Sequence, residues 1–222
     1  MRTQNPSRIE ITVDRGVMSA DLTVPDECKG IVVFAHGSGS SRRSPRNRFV
    51  ANELVAAWLA TLLADLLTPA EAAVDERTAQ IRFDIGLLAQ RVIAVLDWIA
   101  GQDQLRGLPV GLFGASTGAA AALVAAAERA SQVSAVVSRG GRPDLAAGWL
   151  PSVRAPTLLI VGGNDADVLE LNRFALAKLT GEARLEIIPL ATHLFEEPGA
   201  LEQVTALAQE WFRRHFAITS AR

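Results

Sequence analysis

Val110-Gly111-Leu112-Phe113-Gly114-Ala115-Ser116-Thr117-Gly118 runs straight into the alanine-rich stretch 119–127. The first four residues are apolar and suit a buried strand. The alanines are strong helix formers. Between them stands a G-x-S-x-G pattern, and strand, sharp turn and helix are the context that gives it meaning. A bulky side chain at position 114 or 118 would collide with the neighbouring strand or helix. Beyond Ser116 the helix N-terminus offers a positive dipole end and free N–H groups. The plainer reading is a tight strand–helix turn whose serine only caps the helix. Residues 107–127 carry no charge, which is nominally enough to cross a bilayer. Pro109, four glycines and alanine in place of leucine instead make this stretch a buried strand, a turn and a buried helix.

Outward from this unit, strands and helices alternate. Residues 9–13 and 18–24 alternate apolar and polar side chains around the turn Asp14-Arg15-Gly16, as in a half-buried hairpin. Ile31-Val32-Val33-Phe34 is continuous and suits a strand buried on both faces. Ser44-Pro45 signals a helix start. Residues 61–67 form a short apolar run, and 68–81 read as a surface excursion without a period. A helix is expected at 82–100, strands at 133–137, 157–161 and 185–188, and helices at 167–179 and 200–216. This alternation predicts an α/β fold with a mostly parallel central sheet flanked by helices. No repeat or linker divides the chain, so residues 1–222 are expected to form one domain.

Composition narrows the function. The 222 residues are 49% hydrophobic and 21% charged, with net charge −2, an ordinary globular balance. A weakly acidic chain gives no support to nucleic-acid binding. The single cysteine, Cys28, excludes an intrachain disulfide and a multi-cysteine zinc site. Three histidines make a multi-histidine metal site improbable, and the absence of tyrosine removes tyrosine acids and oxyanion donors. The polar N-terminus lacks the apolar core of a secretory signal. No metal or cofactor is expected, and a cytoplasmic location, with neither membrane nor nucleic acid as partner.

A serine nucleophile needs a base, and the base needs an orienting carboxylate. Asp165 follows the strand 157–161, with Asp167 as its rival. His193 follows the strand 185–188. The order Ser116, Asp165, His193 is that of α/β-hydrolases. His36-Gly37-Ser38-Gly39 follows the strand 31–35 and should share the rim with Ser116, since ligands sit beyond the carboxyl ends of such strands. The N–H groups of Ser38 and Thr117 are placed to hold an oxyanion. A dinucleotide loop fails on spacing, because position 42 is Arg. His36 reads as a structural histidine bonded to backbone, and His215 as a solvated residue near the end of the last helix. Arginine outnumbers lysine 20 to 2. Arg42, Arg43, Arg46 and Arg48 crowd the segment after the Ser38 loop. The plainer reading of these arginines and of Arg139, which follows a central strand, is a solvated loop and helix start; in the functional reading Arg139 is the first candidate to contact an anionic substrate group.

Through HGSGSS (36–41), GASTG (114–118), LLIVGGNDADV (158–168) and ATHLF (191–195), the sequence resembles the dienelactone hydrolase family of α/β-hydrolases over about 30–216. The resemblance implies the α/β-hydrolase fold, with Ser116 as nucleophile, Asp165 as triad acid and His193 as base. Dienelactone hydrolases proper carry cysteine where this chain has Ser116, which favours a general esterase over a dienelactone substrate. Only about 20 residues separate the strands near 137 and 157, too few for a helical cap domain. The expected function is hydrolysis of a small-molecule ester, lactone or thioester. The alternatives are acyl transfer on the same triad and a non-catalytic ligand-binding protein. A homodimer is left open.

Overall fold

The computed structural model describes residues 5–219. Eight strands form one sheet in the order β1-β2-β4-β3-β5-β6-β7-β8. They are β1 (Ser7–Val13), β2 (Gly16–Thr23), β3 (Ile31–Ala35), β4 (Ala60–Ala64), β5 (Val110–Ala115), β6 (Val133–Arg139), β7 (Thr157–Gly162) and β8 (Ala183–Ile188). The β1–β2 and β2–β4 pairs are antiparallel, and β4 to β8 run parallel. The expected mostly parallel sheet with an antiparallel hairpin at one edge is therefore present.

Alternation along the central strands divides the core into two layers. Val33, Leu112 and Leu159 face one side and pack with α3 (Ile85–Ala100), α4 (Thr117–Glu128) and α5 (Ala166–Lys178). Val32, Phe34, Phe113, Val137 and Ile160 face the other side, with α1 (Pro45–Ala56) and α6 (Ala200–Thr219). Helix α6 lies close on the sheet because two strand-side positions lack a side chain. A Cβ on Gly30 would lie 2.3 Å from Phe216, and one on Gly111 would lie 2.5 Å from Phe212.

The helix starts follow their sequence signals. Ser44 Oγ accepts from the Asn47 N–H to cap α1, and Pro45 opens that helix. The segment expected as an aperiodic excursion instead contains α2 (Pro69–Thr78), held by a reciprocal capping box between Thr68 and Glu71. Helix α6 extends past the expected end at 216, so His215 is not the solvated residue expected. It is 4% exposed, and its ring packs against Trp211 with centroids 4.5 Å apart and planes inclined by 58°. Between β6 and β7 the chain makes only two 3-10 turns, Pro143–Ala146 and Leu150–Ser152. Among the described residues no helix is long and apolar enough to cross a membrane.

Candidate active site

Strand β5 ends at Ala115, helix α4 begins at Thr117, and Ser116 between them holds φ 50° and ψ −122°. A residue with a Cβ occupies this region only when its surroundings force it there. Three hydrogen bonds do so. The Ser116 N–H donates to the Arg139 carbonyl at 3.2 Å, and the Ser116 carbonyl accepts from Ala119 at 3.1 Å and Arg142 at 3.0 Å. The glycines have the expected steric task. A Cβ on Gly114 would lie 2.4 Å from Ala119 Cα, and one on Gly118 would lie 2.2 Å from the Ala35 carbonyl oxygen.

Asp165 precedes α5 at the end of β7, and His193 lies on the loop after β8. His193 Nδ1 lies 2.7 Å from Asp165 Oδ2. The carboxylate can only accept there, so Nδ1 donates, and in the neutral ring the lone pair is then on Nε2. Backbone bonds stitch the two loops together, Gly163 N–H to Ile188 O at 2.8 Å and Asn164 N–H to Ala191 O at 2.9 Å. Glu197 ties down the histidine's neighbour, accepting from the Thr192 N–H at 3.0 Å and the Thr192 hydroxyl at 2.6 Å. Asp167, the rival carboxylate, is exposed in the first turn of α5.

Ser116 and His193 line one cavity of about 250 Å³ together with Ser38, Arg46, Asn47 and Arg139. Ser38 is exposed at its mouth. Thr117 opens α4, where an N–H has no intrahelical acceptor. Gly37 passes close to the elbow, and a Cβ there would lie 3.0 Å from Ser116 Cβ. His36 fixes this loop. Its Nε2 accepts from the Leu66 N–H at 3.0 Å, so Nδ1 is the protonated nitrogen and donates to Gly37 O at 2.9 Å. The structural reading of His36 holds. A broader cleft of about 680 Å³ continues beyond Ser38 toward Arg82 and Asp75.

The arginines separate by their partners. Arg42 is buried between Asp65 and Asp21, and Arg48 pairs with Asp21 at 3.2 Å. These two brace the loop and do not line the cavity. Arg43 is exposed. Arg139 differs from all of them. It ends β6 in the same row as Ala135 and Val137, so its side chain enters the layer containing α1 and α6. There Nη2 donates to Asn47 Oδ1 at 3.3 Å, and the guanidinium lies 6.0 Å from the Phe195 ring centroid. It is 8% exposed, and Nε and Nη1 are buried with no hydrogen-bond partner among the described residues. Burial and the nearby charge of Arg46 lower its pKa to about 10. Asn47 was not among the expected site residues, and neither was Glu197. Each acts through a pairing that only the fold creates.

No family model matches the chain. A dienelactone hydrolase from Anabaena variabilis superposes with a TM-score of 0.92 at 56% identity, covering 95% of this chain and 99% of that one. The chain belongs to the dienelactone hydrolase family. A lidless α/β serine hydrolase from Xanthomonas campestris shares the fold at 20% identity and a TM-score of 0.74, over 96% of each chain. Proteins from two Mycobacterium tuberculosis strains, provisionally named phosphoribosyl transferases, are 61% identical over 198 residues, which is 89% of this chain and 44% of each of theirs. The chain thus spans less than half the length of these curated relatives.

Proposed function

We propose that this member of the family is a serine hydrolase of small carboxylic esters, lactones or thioesters. The observation that carries the reading is the 2.7 Å contact between His193 Nδ1 and Asp165 Oδ2, beside a cavity that Ser116 shares with His193. Ser116 Oγ attacks the acyl carbonyl while His193 Nε2 takes its proton. The carbonyl oxygen gains the negative charge, and the N–H groups of Thr117 and Ser38 stabilise it. The tetrahedral intermediate collapses, the imidazolium protonates the leaving oxygen or sulfur, and the acyl group stays on Ser116. Water then gives a proton to His193 and attacks the acyl carbon, the bond from that carbon to Ser116 Oγ breaks, the imidazolium returns the proton to Oγ, and the acid is released. Asp165 holds the imidazole in the useful tautomer and remains ionised throughout.

Arg139 supplies the contact to an anionic part of the substrate. A buried cation without a carboxylate partner is costly, and two N–H-bearing nitrogens on this one have nothing to bond. A fluorophosphonate probe tests the nucleophile. It should label the wild type on Ser116 and leave Ser116→Ala unlabelled. Labelling elsewhere, or equal labelling of both proteins, overturns the assignment. Product analysis with added alcohol or thiol separates hydrolysis from acyl transfer.

A further inference from the structure

We propose that the cavity beside Ser116 grips a doubly charged phosphate group of its substrate between Arg139 and Arg46. The proposal rests on reading this cavity as the catalytic one. Three buried guanidinium nitrogens in its walls lack any acceptor: Arg139 Nε, Arg139 Nη1 and Arg46 Nε. Two positive side chains with unpartnered nitrogens therefore border one small space, and no aspartate or glutamate lines it. Among the described residues Arg46 makes one ion pair, with Glu196 at 2.9 Å, and that carboxylate is exposed, while Arg139 makes none.

Charge and donor count decide between possible occupants. A carboxylate brings one charge and two oxygens, which leaves Arg46 with only its exposed pair to Glu196. A phosphate monoester brings nearly two charges and three terminal oxygens. It matches both the two cations and the three orphan nitrogens, and charge-assisted bonds of this type are the strong ones. The exposed Ser38 and Ser40 stand at the mouth to meet the rest of such a ligand. At about 250 Å³ the cavity is below the range for drug-sized ligands, so the acyl compound should be small. The substrate class is then a short acyl ester or lactone that also carries a phosphate.

The test is calorimetric binding at pH 7.5 of three probes of similar bulk, phenyl phosphate, benzenesulfonate and benzoate, to the Ser116→Ala protein. Only phenyl phosphate is largely a dianion at that pH. Sulfonate has the same tetrahedral shape with one charge, so the ratio of affinities cancels general attraction, including any from His193. Phenyl phosphate should bind at least tenfold more tightly than either. Arg139→Gln and Arg46→Gln should each cut that ratio to about threefold or less, and Arg139→Lys should retain part of it. Should Arg139→Gln fail to fold, Arg46→Gln at the rim carries the comparison. Equal affinities for the three probes, no binding of phenyl phosphate, or selectivity that survives both substitutions overturns the proposal. Fluorophosphonate labelling of the wild type tests the hydrolase reading separately. Labelled Ser116 without phosphate selectivity removes only the phosphate clamp, and selectivity without labelling removes only the hydrolase.

Discussion

Asp165 and Asp167 differ by two positions and by everything their surroundings do to them. One touches the histidine ring and the other points to water. Asp165→Asn should lower kcat on a neutral aryl ester by about 10⁴-fold, by leaving the imidazole in the wrong tautomer. Asp167→Asn should stay within about threefold, roughly 0.6 kcal/mol of barrier. The reverse ranking in folded proteins would assign the other carboxylate. Glu197 is a positioning residue, because it reaches His193 only through Thr192. The Thr192 hydroxyl and nearby backbone N–H groups hold its carboxyl below the ordinary 4.5. The unfolded chain therefore takes up a proton first on acidification, and this contribution to stability is lost as pH falls. The melting-temperature gap between wild type and Glu197→Gln should be full at neutral pH and shrink below 4.5. A gap that does not vary with pH would mean the carboxylate charge is not what holds the loop. The grouping of Ser116, Asp165 and His193 was legible in the sequence because each follows a strand end, and the topology gathers strand ends on one rim. Asn47 was not legible. Its bond to Arg139 joins residues 92 positions apart, and no local pattern announces it.

Among the elements, the loop of 36–39 depends on a neutral imidazole. Burial lowers the His36 pKa from 6.5, against the Gly37 carbonyl and the Asp65 charge, which raise it. A proton on Nε2 would set two donors face to face at the Leu66 N–H. Stability from this group is present above 6.5 and is lost as pH falls through the lowered folded value. The melting temperature should fall more steeply between about pH 7 and pH 5 in wild type than in His36→Gln, whose amide oxygen can still accept from Leu66. Equal slopes would assign the acid sensitivity elsewhere. Helix α2 shows where the periodicity of a sequence runs out. Its only buried residue is Asp75, so it carries no apolar stripe to read. What was available was Thr68-x-x-Glu71 with Pro69, a capping box whose signal lies in the end of the helix rather than in its face. The β5–Ser116–α4 unit was legible for the opposite reason. Its pattern is local in sequence, with Gly114 and Gly118 standing where a side chain would collide with α4 and β3.

Across the whole molecule, α6 closes the face of the sheet opposite α3, α4 and α5. Phe212 is fully buried against the bare positions on the strands. Phe212→Ala should cost about 3–5 kcal/mol, since the rigid sheet cannot collapse into the gap. In urea titration the midpoint should move accordingly, and the melting temperature should drop by roughly 6–20 °C. A loss below about 1 kcal/mol would show that α6 is not integral to the core.

The short connection between β6 and β7 also has a meaning in time. Where a helical lid covers a hydrolase site, turnover waits on a segment that opens and closes over microseconds to milliseconds. Residues 140–156 hold nothing larger than the two 3-10 turns, so this connection supplies no gate over Ser116. Progress curves should rise without a lag, and adding a lipid or detergent surface should trigger no jump in rate. Under the proposed hydrolase reading, the tempo is then set by diffusion, by acyl chemistry and by how long the buried arginine retains the product.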